Sequence, residues 1–492
     1  MTAQVRRVAV VMFLLFGALF VNLNYIQVLQ ADELANDPRN ARGLIREYEI
    51  RRGLILASDG QTPLATSEET DGRLRFLRRY PDGPLYGHIT GYHSLVYGRS
   101  QLEATFNEYL VGSAPEAFAR NLADLLAGRE RVGDDVVTTI VPSVQQAARD
   151  ALGDRAGAIA ALDPSTGEVL ALWSTPTYDP NQLASHDRDQ IVAYWEQTEA
   201  DPGNPRLNRA LRSVYPPGST FKVVTAAAAL RAGVSPEQTF PDPLRQDLPL
   251  TEATIGNFGG GTCNGGAPIT LARALQVSCN TTFAQLGLSL GAEALVAQAE
   301  EFGFNADWEF QLPLEPSTIP AAAELDEPSA AQSAIGQRDV RATPLQMAMI
   351  AATIGNDGTT MRPRVVKQVN DFAGRTVAEF GPEPIDFGAP GPALSPAEAE
   401  TLTQMMVSVV EGGTGRNAQI PGVQVAGKTG TAQTGEGRPP TVWFTAFAPA
   451  DAPRVAVAVV VEEGGGVGDE ATGGAVAAPI ARAVMEAALA RP

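Results

Sequence analysis

The sequence predicts a mixed α/β chain whose main domain is of the α+β type, with helices flanking an antiparallel sheet. Five short apolar runs have the length and flanking turns of strands: 158–162, 168–173, 425–432, 442–448 and 454–462. Between them, mostly helical patterns occupy about 218–290 and 395–411, and an alanine-rich helix is predicted at 474–489. Strands at both ends of a domain indicate one sheet assembled from distant parts of the chain.

The first 29 residues predict a membrane anchor. Arg6 and Arg7 precede an apolar run that begins at Val8 and continues, less cleanly after Val21, to Leu29. The whole run suits a spanning helix, the cleaner part alone would suit a signal peptide, and a buried core helix is a third reading. No A-x-A cleavage site follows, which favours an uncleaved anchor at 8–29. Residues 1–7 would then stay in the cytoplasm, and the rest of the chain would be exported.

Composition sets limits on the class of protein. A chain of 492 residues predicts two or three domains, and 44% apolar residues supply sizeable cores. The net charge of −19 argues against a nucleic-acid-binding protein, which needs a basic face. None of the three histidines lies in a Cys/His cluster, and no Walker-type phosphate loop is present. We therefore expect no metal and no cofactor, and any nucleophile here would lack a histidine base.

The region between the anchor and the main domain is predicted to be a linker and a small domain. Residues 30–46 are polar, and from 47 to about 135 short strands and helices alternate without a catalytic cluster. Asp59-Gly60 is a strong hairpin signal there. In an exported chain the two cysteines, Cys263 and Cys279, favour a disulfide over two free thiols.

Lysine is rare in this chain, and its placement is informative. Only three of the 37 basic residues are lysines, and Lys222 lies in "YPPGSTFKVVTAAAAL". Pro and Gly precede a helix that starts at Ser219, so Ser219 and Lys222 share one face. A lysine whose pKa is lowered can activate a serine nucleophile, whereas arginine stays protonated. The alternative is a helix-capping serine beside a surface lysine.

Two further motifs follow Ser219. In Ser278-Cys279-Asn280, Ser278 could relay a proton and Asn280 could hold a substrate amide, although such residues also cap helices and form turns. In Lys428-Thr429-Gly430-Thr431, the amine and the two hydroxyls could receive a carboxylate, and the glycine suggests close approach of a ligand. A hairpin turn with an exposed lysine is the alternative.

The combination of motifs resembles a known family. S-x-x-K, S-x-N and K-T-G each occur once, in that order, as in the penicilloyl-serine transferases, which are the penicillin-binding proteins and the class A-like serine β-lactamases. The stretches "RRGLILASDGQTPLA" and "YGRSQLEATFNEYLVG" are similar to N-terminal motifs of class B penicillin-binding proteins, with Arg99-Ser100-Gln101 as a departure. The cysteines around S-x-N resemble the actinobacterial penicillin-binding protein A group.

The resemblance implies a β-lactamase/transpeptidase-like domain at 155–492, with a five-stranded antiparallel sheet and a helical subdomain. Residues 47–150 would form a non-catalytic pedestal, too short to hold a glycosyltransferase. The implied activity is peptidoglycan D,D-transpeptidation through a serine acyl-enzyme, in cell-wall synthesis for division or cell shape. Ser219 would attack the penultimate D-Ala of a stem peptide, and Lys222 would take its proton.

The same resemblance assigns the remaining site residues. Backbone N–H groups of Ser219 and Thr431 would form an oxyanion hole, and Ser278 would protonate the departing D-Ala. The substrate-binding residues would be Asn280, on the peptide backbone, and the K-T-G strand, on the carboxylate: Lys428, Thr429, Gly430 and Thr431. The implied partners are stem peptides, their lipid-linked precursor, β-lactams and a membrane glycan polymerase of the SEDS type.

Three other functions share these motifs. A D,D-carboxypeptidase or β-lactamase would need a general base for deacylation, and none is identifiable from the sequence. A β-lactam sensor would need more membrane helices or an effector domain. A non-catalytic scaffold would retain its function without Ser219.

Overall fold

A computed structural model describes residues 2–30, 47–72, 74–117, 130–388, 391–433, 438–468 and 470–491. The predicted linker at 30–46 lies outside these residues except for Gln30. The strands, in chain order, are β1 (Ile55–Leu56), β2 (Pro63–Glu69), β3 (Phe76–Arg79), β4 (His93–Ser94), β5 (Gly98–Arg99), β6 (Asp135–Thr138), β7 (Gly157–Leu162), β8 (Val169–Thr175), β9 (Thr239–Phe240), β10 (Arg245–Asp247), β11 (Thr254–Gly256), β12 (Ile269–Thr270), β13 (Val366–Asn370), β14 (Thr376–Glu379), β15 (Ala426–Ala432), β16 (Thr441–Ala448) and β17 (Val455–Val461).

The described α-helices, in chain order, are α1 (Thr2–Asn24), α2 (Gly83–Thr90), α3 (Gln101–Thr105), α4 (Asn107–Leu110), α5 (Pro142–Leu152), α6 (Pro180–Ala184), α7 (Arg188–Ala200), α8 (Arg209–Arg212), α9 (Lys222–Arg231), α10 (Leu271–Gln276), α11 (Asn280–Glu301), α12 (Glu327–Ser333), α13 (Pro344–Gly355), α14 (Pro396–Gly412) and α15 (Ala477–Leu489). Helix α1 continues into a π-helical turn, Tyr25–Leu29. The stretch Ala3–Leu29 is long and apolar enough to cross a membrane, and none of it is buried against the protein. It fits a single-pass anchor.

The main sheet has five strands in the order β15-β16-β17-β7-β8, and every neighbouring pair is antiparallel. This confirms the predicted sheet built from both ends of the domain. Every residue of β16 and β17 is buried, because helices cover both faces of the sheet. Helices α13 and α15 both pack against β17. Strand β15, which carries the K-T-G motif, lies at the edge of the sheet.

The helical prediction for 218–290 is wrong in its middle. Helices α9, α10 and α11 form, but the segment between α9 and α10 contains β9 to β12, paired as two small antiparallel sheets. Pro241, Pro243 and Pro249 remove the backbone donors that a helix needs there. The β10–β11 hairpin and the loop after it come to lie beside the S-x-N motif.

A second sheet has six strands in the order β14-β13-β6-β1-β2-β3. Strands β1, β2, β3 and β6 come from the predicted pedestal, whereas β13 and β14 come from the predicted transpeptidase range. Strand β13 pairs antiparallel with β6, and β6 pairs parallel with β1. On β13, Lys367 Nζ donates to the Ser58 carbonyl oxygen at 2.7 Å, so this lysine bridges the two regions.

A buried ion-pair cluster lies beside this sheet. Glu103, on α3, is fully buried. Its carboxylate accepts hydrogen bonds from Arg52 Nη2 at 2.7 Å, from Arg78 Nε at 2.5 Å and from the Tyr80 hydroxyl at 3.2 Å. Both arginines are themselves at most 3% exposed. One carboxylate therefore pairs with two buried guanidinium groups, of which Arg52 also pairs with Glu47, and ties α3 to the strand region.

Candidate active site

The loop before Ser219 is held against the K-T-G strand. Gly218 has a φ of +52°, and a Cβ at this position would lie 2.7 Å from the Thr431 carbonyl oxygen. Only glycine fits such a close approach in this conformation. The turn Gly218–Phe221 is 3-10 helical and leads directly into α9, whose first residue is Lys222. Half-buried Ser219 therefore stands at the start of a helix, as predicted.

Lys222 is fully buried and bonded to the S-x-N motif. Its Nζ donates to the Asn280 Oδ1 at 2.7 Å and to the Ser278 carbonyl oxygen at 2.8 Å, and it lies 3.4 Å from the Ser278 Oγ. The Phe283 ring centroid is 5.5 Å away. Among the described hydrogen bonds, none joins Lys222 to Ser219. The structure thus brings Lys222, Ser278 and Asn280 together, with Ser219 close by in sequence but not bonded to the lysine.

Ser278 joins the two lysines of the motifs. It lies between α10 and α11 with a φ of +63°, a left-handed conformation that is uncommon for serine and that often marks functional sites. Its Oγ accepts a hydrogen bond from Lys428 Nζ at 2.8 Å. Lys428 lies on β15, is fully buried and also donates to the Thr429 carbonyl oxygen at 3.0 Å.

Both lysines have lowered pKa values. Burial, followed by the charge of Lys428, holds the pKa of Lys222 well below its ordinary value. Burial alone lowers the pKa of Lys428 to about 7. In the part of the chain that the structure describes, neither amine forms an ion pair with a carboxylate, so no counter-charge there offsets the cost of burying the charge. A lowered pKa makes it easier for a lysine amine to lose its own proton and to accept one from a serine hydroxyl.

The K-T-G strand passes directly beside the loop that precedes Ser219. A Cβ on Gly430 would lie 2.9 Å from the Pro217 carbonyl oxygen, so this position also needs glycine. Thr429 is 7% exposed, and its hydroxyl is 2.6 Å from the hydroxyl of Thr414, which lies in the loop before β15. Thr431 is half-buried near the end of β15. The sequence motifs did not point to Thr414, which the fold places beside them.

The two cysteines, Cys263 and Cys279, form a disulfide. Cys279 is the central residue of S-x-N, and Cys263 lies on the loop after the β10–β11 hairpin. The buried carboxylate of Asp242 accepts hydrogen bonds from the backbone N–H groups of Cys263 and Asn264 at 2.8 and 2.5 Å. The disulfide therefore fastens this loop to the start of α11.

If Ser219 is the nucleophile that the motifs predict, removal of the Lys428 amine should slow its acylation and change the pH dependence of that reaction. Because the charge of Lys428 lowers the pKa of Lys222, Lys428→Met should raise that pKa and move the acid limb of the rate profile to higher pH. Loss of charge-assisted hydrogen bonds worth about 1.5–3 kcal/mol should slow the plateau rate by about 10- to 100-fold. The measurement is the rate of labelling by fluorescent penicillin as a function of pH. Lys367→Met is the matched control, and an acid limb that stays in place would contradict the coupling.

Comparisons with known proteins identify the family of this chain. The penicillin-binding protein transpeptidase domain family matches residues 157–486, and the penicillin-binding protein A dimerisation domain matches 52–136. The chain therefore belongs to the penicillin-binding protein transpeptidase family. Within that family it is a class B protein that resembles the actinobacterial penicillin-binding protein A, as the motifs predicted.

Individual relatives cover nearly the whole chain. The peptidoglycan D,D-transpeptidase PbpA of Mycolicibacterium smegmatis is 46% identical, with 99% of each chain covered. Its namesake in Mycobacterium tuberculosis is 43% identical, also with 99% of each chain covered. The structure of penicillin-binding protein A from M. tuberculosis as a ceftriaxone acyl-enzyme superposes with a TM-score of 0.86 at 43% identity, covering 90% of this chain and all of that one.

Proposed function

We propose that this protein is a membrane-anchored peptidoglycan D,D-transpeptidase that cross-links stem peptides outside the cytoplasm and is acylated by β-lactams. The observation that carries the proposal is the pair of fully buried lysines, Lys222 and Lys428, joined through Ser278 next to the helix start at Ser219. The relatives named as D,D-transpeptidases and the β-lactam acyl-enzyme of a close structural neighbour support the same activity.

The first half-reaction forms an ester on Ser219. The Ser219 Oγ attacks the carbonyl carbon of the penultimate D-Ala while its proton passes to neutral Lys222. Binding of the donor would draw the Lys222 Nζ from its present acceptors towards Ser219, since catalytic hydrogen bonds are often loose without substrate. In the described part of the sheet β15 is an edge strand, so N–H groups on its open side have no strand partner there, which suits an oxyanion hole formed by Ser219 and Thr431.

Proton transfer then releases the terminal D-Ala. The Ser278 Oγ lies 3.4 Å from the Lys222 Nζ and 2.8 Å from the Lys428 Nζ. We assign it the relay of the proton from Lys222 to the leaving nitrogen as the C–N bond breaks. In the second half-reaction, the amine of a neighbouring stem peptide attacks the ester carbon, an amide forms, and Ser219 regains its proton.

Substrate binding is assigned to the K-T-G strand and to Asn280. Lys428, Thr429 and Thr431 would hold the terminal carboxylate, with Gly430 allowing close approach. Asn280 Nδ2 carries two protons, and one of them is donated to the Gly256 carbonyl oxygen at 3.0 Å. The second proton can reach the donor peptide backbone.

The rest of the chain would locate this chemistry at the membrane. Residues 8–29 would anchor the protein, 47–150 would form the pedestal, and 155–492 would form the transpeptidase domain. Lipid-linked precursor would be polymerised by a SEDS-type membrane polymerase. We therefore expect the purified protein alone to make no glycan polymer from that precursor.

The test is a direct transfer assay with detergent-solubilised full-length protein. A pentapeptide ending in D-Ala-D-Ala serves as donor and a labelled D-amino acid as acceptor, and mass spectrometry counts exchanged and hydrolysed product. We expect a Ser219 acyl-enzyme and more transfer than hydrolysis, with neither product from Ser219→Ala. Hydrolysis without transfer would instead assign a carboxypeptidase, and rapid loss of a bound penicillin label would assign a β-lactamase.

A further inference from the structure

The side chain of Asn257 caps the helix that carries Asn280. Asn257 follows β11 at the end of the β10–β11 hairpin, outside all three motifs. Its Oδ1 accepts hydrogen bonds from the backbone N–H groups of Asn280 at 2.8 Å and Thr281 at 3.1 Å. Cys279, at the capping position of α11, makes no side-chain cap of its own. A residue at the end of the hairpin therefore supplies the hydrogen-bond acceptor for the first turn of α11 that the residue at the capping position does not provide.

The same hairpin also fixes the Asn280 side chain. The Gly256 carbonyl oxygen accepts a hydrogen bond from Asn280 Nδ2 at 3.0 Å. Because a carbonyl oxygen can only accept, the nitrogen of the amide must face Gly256, and Oδ1 is left to face Lys222. The Lys222 Nζ donates to that Oδ1 at 2.7 Å. Backbone and side chain of Asn280 are thus both held by Gly256–Asn257.

Asn257 is itself fixed in one orientation. Its Nδ2 donates to the Gly261 carbonyl oxygen at 3.0 Å, which leaves Oδ1 for the two N–H groups of α11. The disulfide between Cys263 and Cys279 holds the same loop against the start of the helix. In each hydrogen bond from Asn257 through Asn280 to Lys222, it is therefore fixed which atom donates and which atom accepts.

We propose that Asn257 is a positioning residue for acyl transfer, which acts through Asn280 to hold the Lys222 amine beside Ser278. This inference rests on the proposed function, because it assigns Lys222 as the base. Asn257 does not act on the substrate. Its loss lets Asn280 turn or shift, and the Lys222 amine then keeps the Ser278 carbonyl oxygen but loses Asn280 Oδ1, the acceptor at 2.7 Å.

The test compares two substitutions at position 257 by their rates of acylation with fluorescent penicillin across pH. Asn257→Leu removes the acceptor, and we expect the plateau rate to fall by up to about 10²-fold, as for a misplaced catalytic group. Asn257→Asp keeps an oxygen for both N–H groups, so most of the plateau rate should remain. Its new negative charge should raise the pKa of Lys222, despite the opposing charge of Lys428, and move the acid limb to higher pH.

Asn264→Leu and Asn264→Asp are the matched controls, because Asn264 is exposed on the same loop and is not bonded to Asn280. Thermal unfolding of all variants separates misplacement from loss of folding. The inference is overturned if Asn257→Leu is acylated at the wild-type rate. It is also overturned if Asn257→Asp is acylated as slowly as Asn257→Leu. The inference is also overturned if the substitutions at position 264 lower the acylation rate and the thermal stability as much as those at position 257. Failure of the wild-type protein to acylate would overturn the proposed function instead.

Discussion

Lys222→Arg should lose acylation of Ser219 although the positive charge at position 222 is retained. Arginine stays protonated at any pH at which the protein folds, so it cannot accept the serine proton. General-base catalysis contributes about 10²- to 10⁴-fold, and we expect the rate of penicillin labelling to fall by that factor. The site also has no room for a larger head group, because Lys222 is fully buried. The measurement is the second-order rate of labelling with fluorescent penicillin.

The chain offers a control for this substitution. Lys367→Arg changes the third lysine, which donates to the Ser58 carbonyl oxygen far from the motifs, and should label at the wild-type rate. Ser219→Ala, which lacks the proposed nucleophile, gives the background level of labelling. Persistent labelling of folded Lys222→Arg would remove Lys222 as the base and would leave Lys428, whose pKa is lowered to about 7, as the next candidate.

The sequence alone predicts the pairing of Ser219 with Lys222, because the two residues are close together in the chain. Ser219 and Lys222 are three residues apart at a helix start, so their spacing alone puts them on one face. Ser278 and Lys428 are distant in sequence, and it was the order of the three motifs, with the family resemblance, that predicted their meeting. The geometry adds that Lys222 is bonded to Ser278 and Asn280 rather than to Ser219.

The sequence did not predict residues that reach the site only because the fold brings distant segments together. Asn257 and Thr414 carry no motif, and each bonds a site residue only because a hairpin or loop is brought beside it. The paired cysteines were the one signal for Asn257, since a Cys263–Cys279 bond must bring its loop to the start of α11. In the same way, no local pattern could show that β13 adds to the sheet of the pedestal, since edge pairing is decided by the packed domains.

Glu103→Ala should cause a large loss of stability although it lies outside the active site. The carboxylate is fully buried between Arg52 and Arg78, and its removal leaves the buried Arg78 guanidinium without its ion-pair partner and Arg52 with Glu47 alone. Breaking a buried pair in this way costs about 3–5 kcal/mol of unfolding free energy. The measurement is calorimetric and denaturant-induced unfolding of the full-length protein. Glu108→Ala, on the exposed side of the next helix, is the control.

The pH dependence of stability should identify the same carboxylate. Burial alone would raise the pKa of Glu103, but the charges and hydrogen bonds of Arg78 and Arg52 outweigh it and hold the pKa below the ordinary value of 4.5. A group with a lowered folded-state pKa contributes stability above its unfolded pKa and loses it as pH falls through the folded pKa. The wild-type protein should therefore lose this contribution below about pH 4.5, whereas Glu103→Gln should lack it at every pH. If Glu103→Ala unfolds no more easily than Glu108→Ala, the cluster is not what holds α3 to the strands.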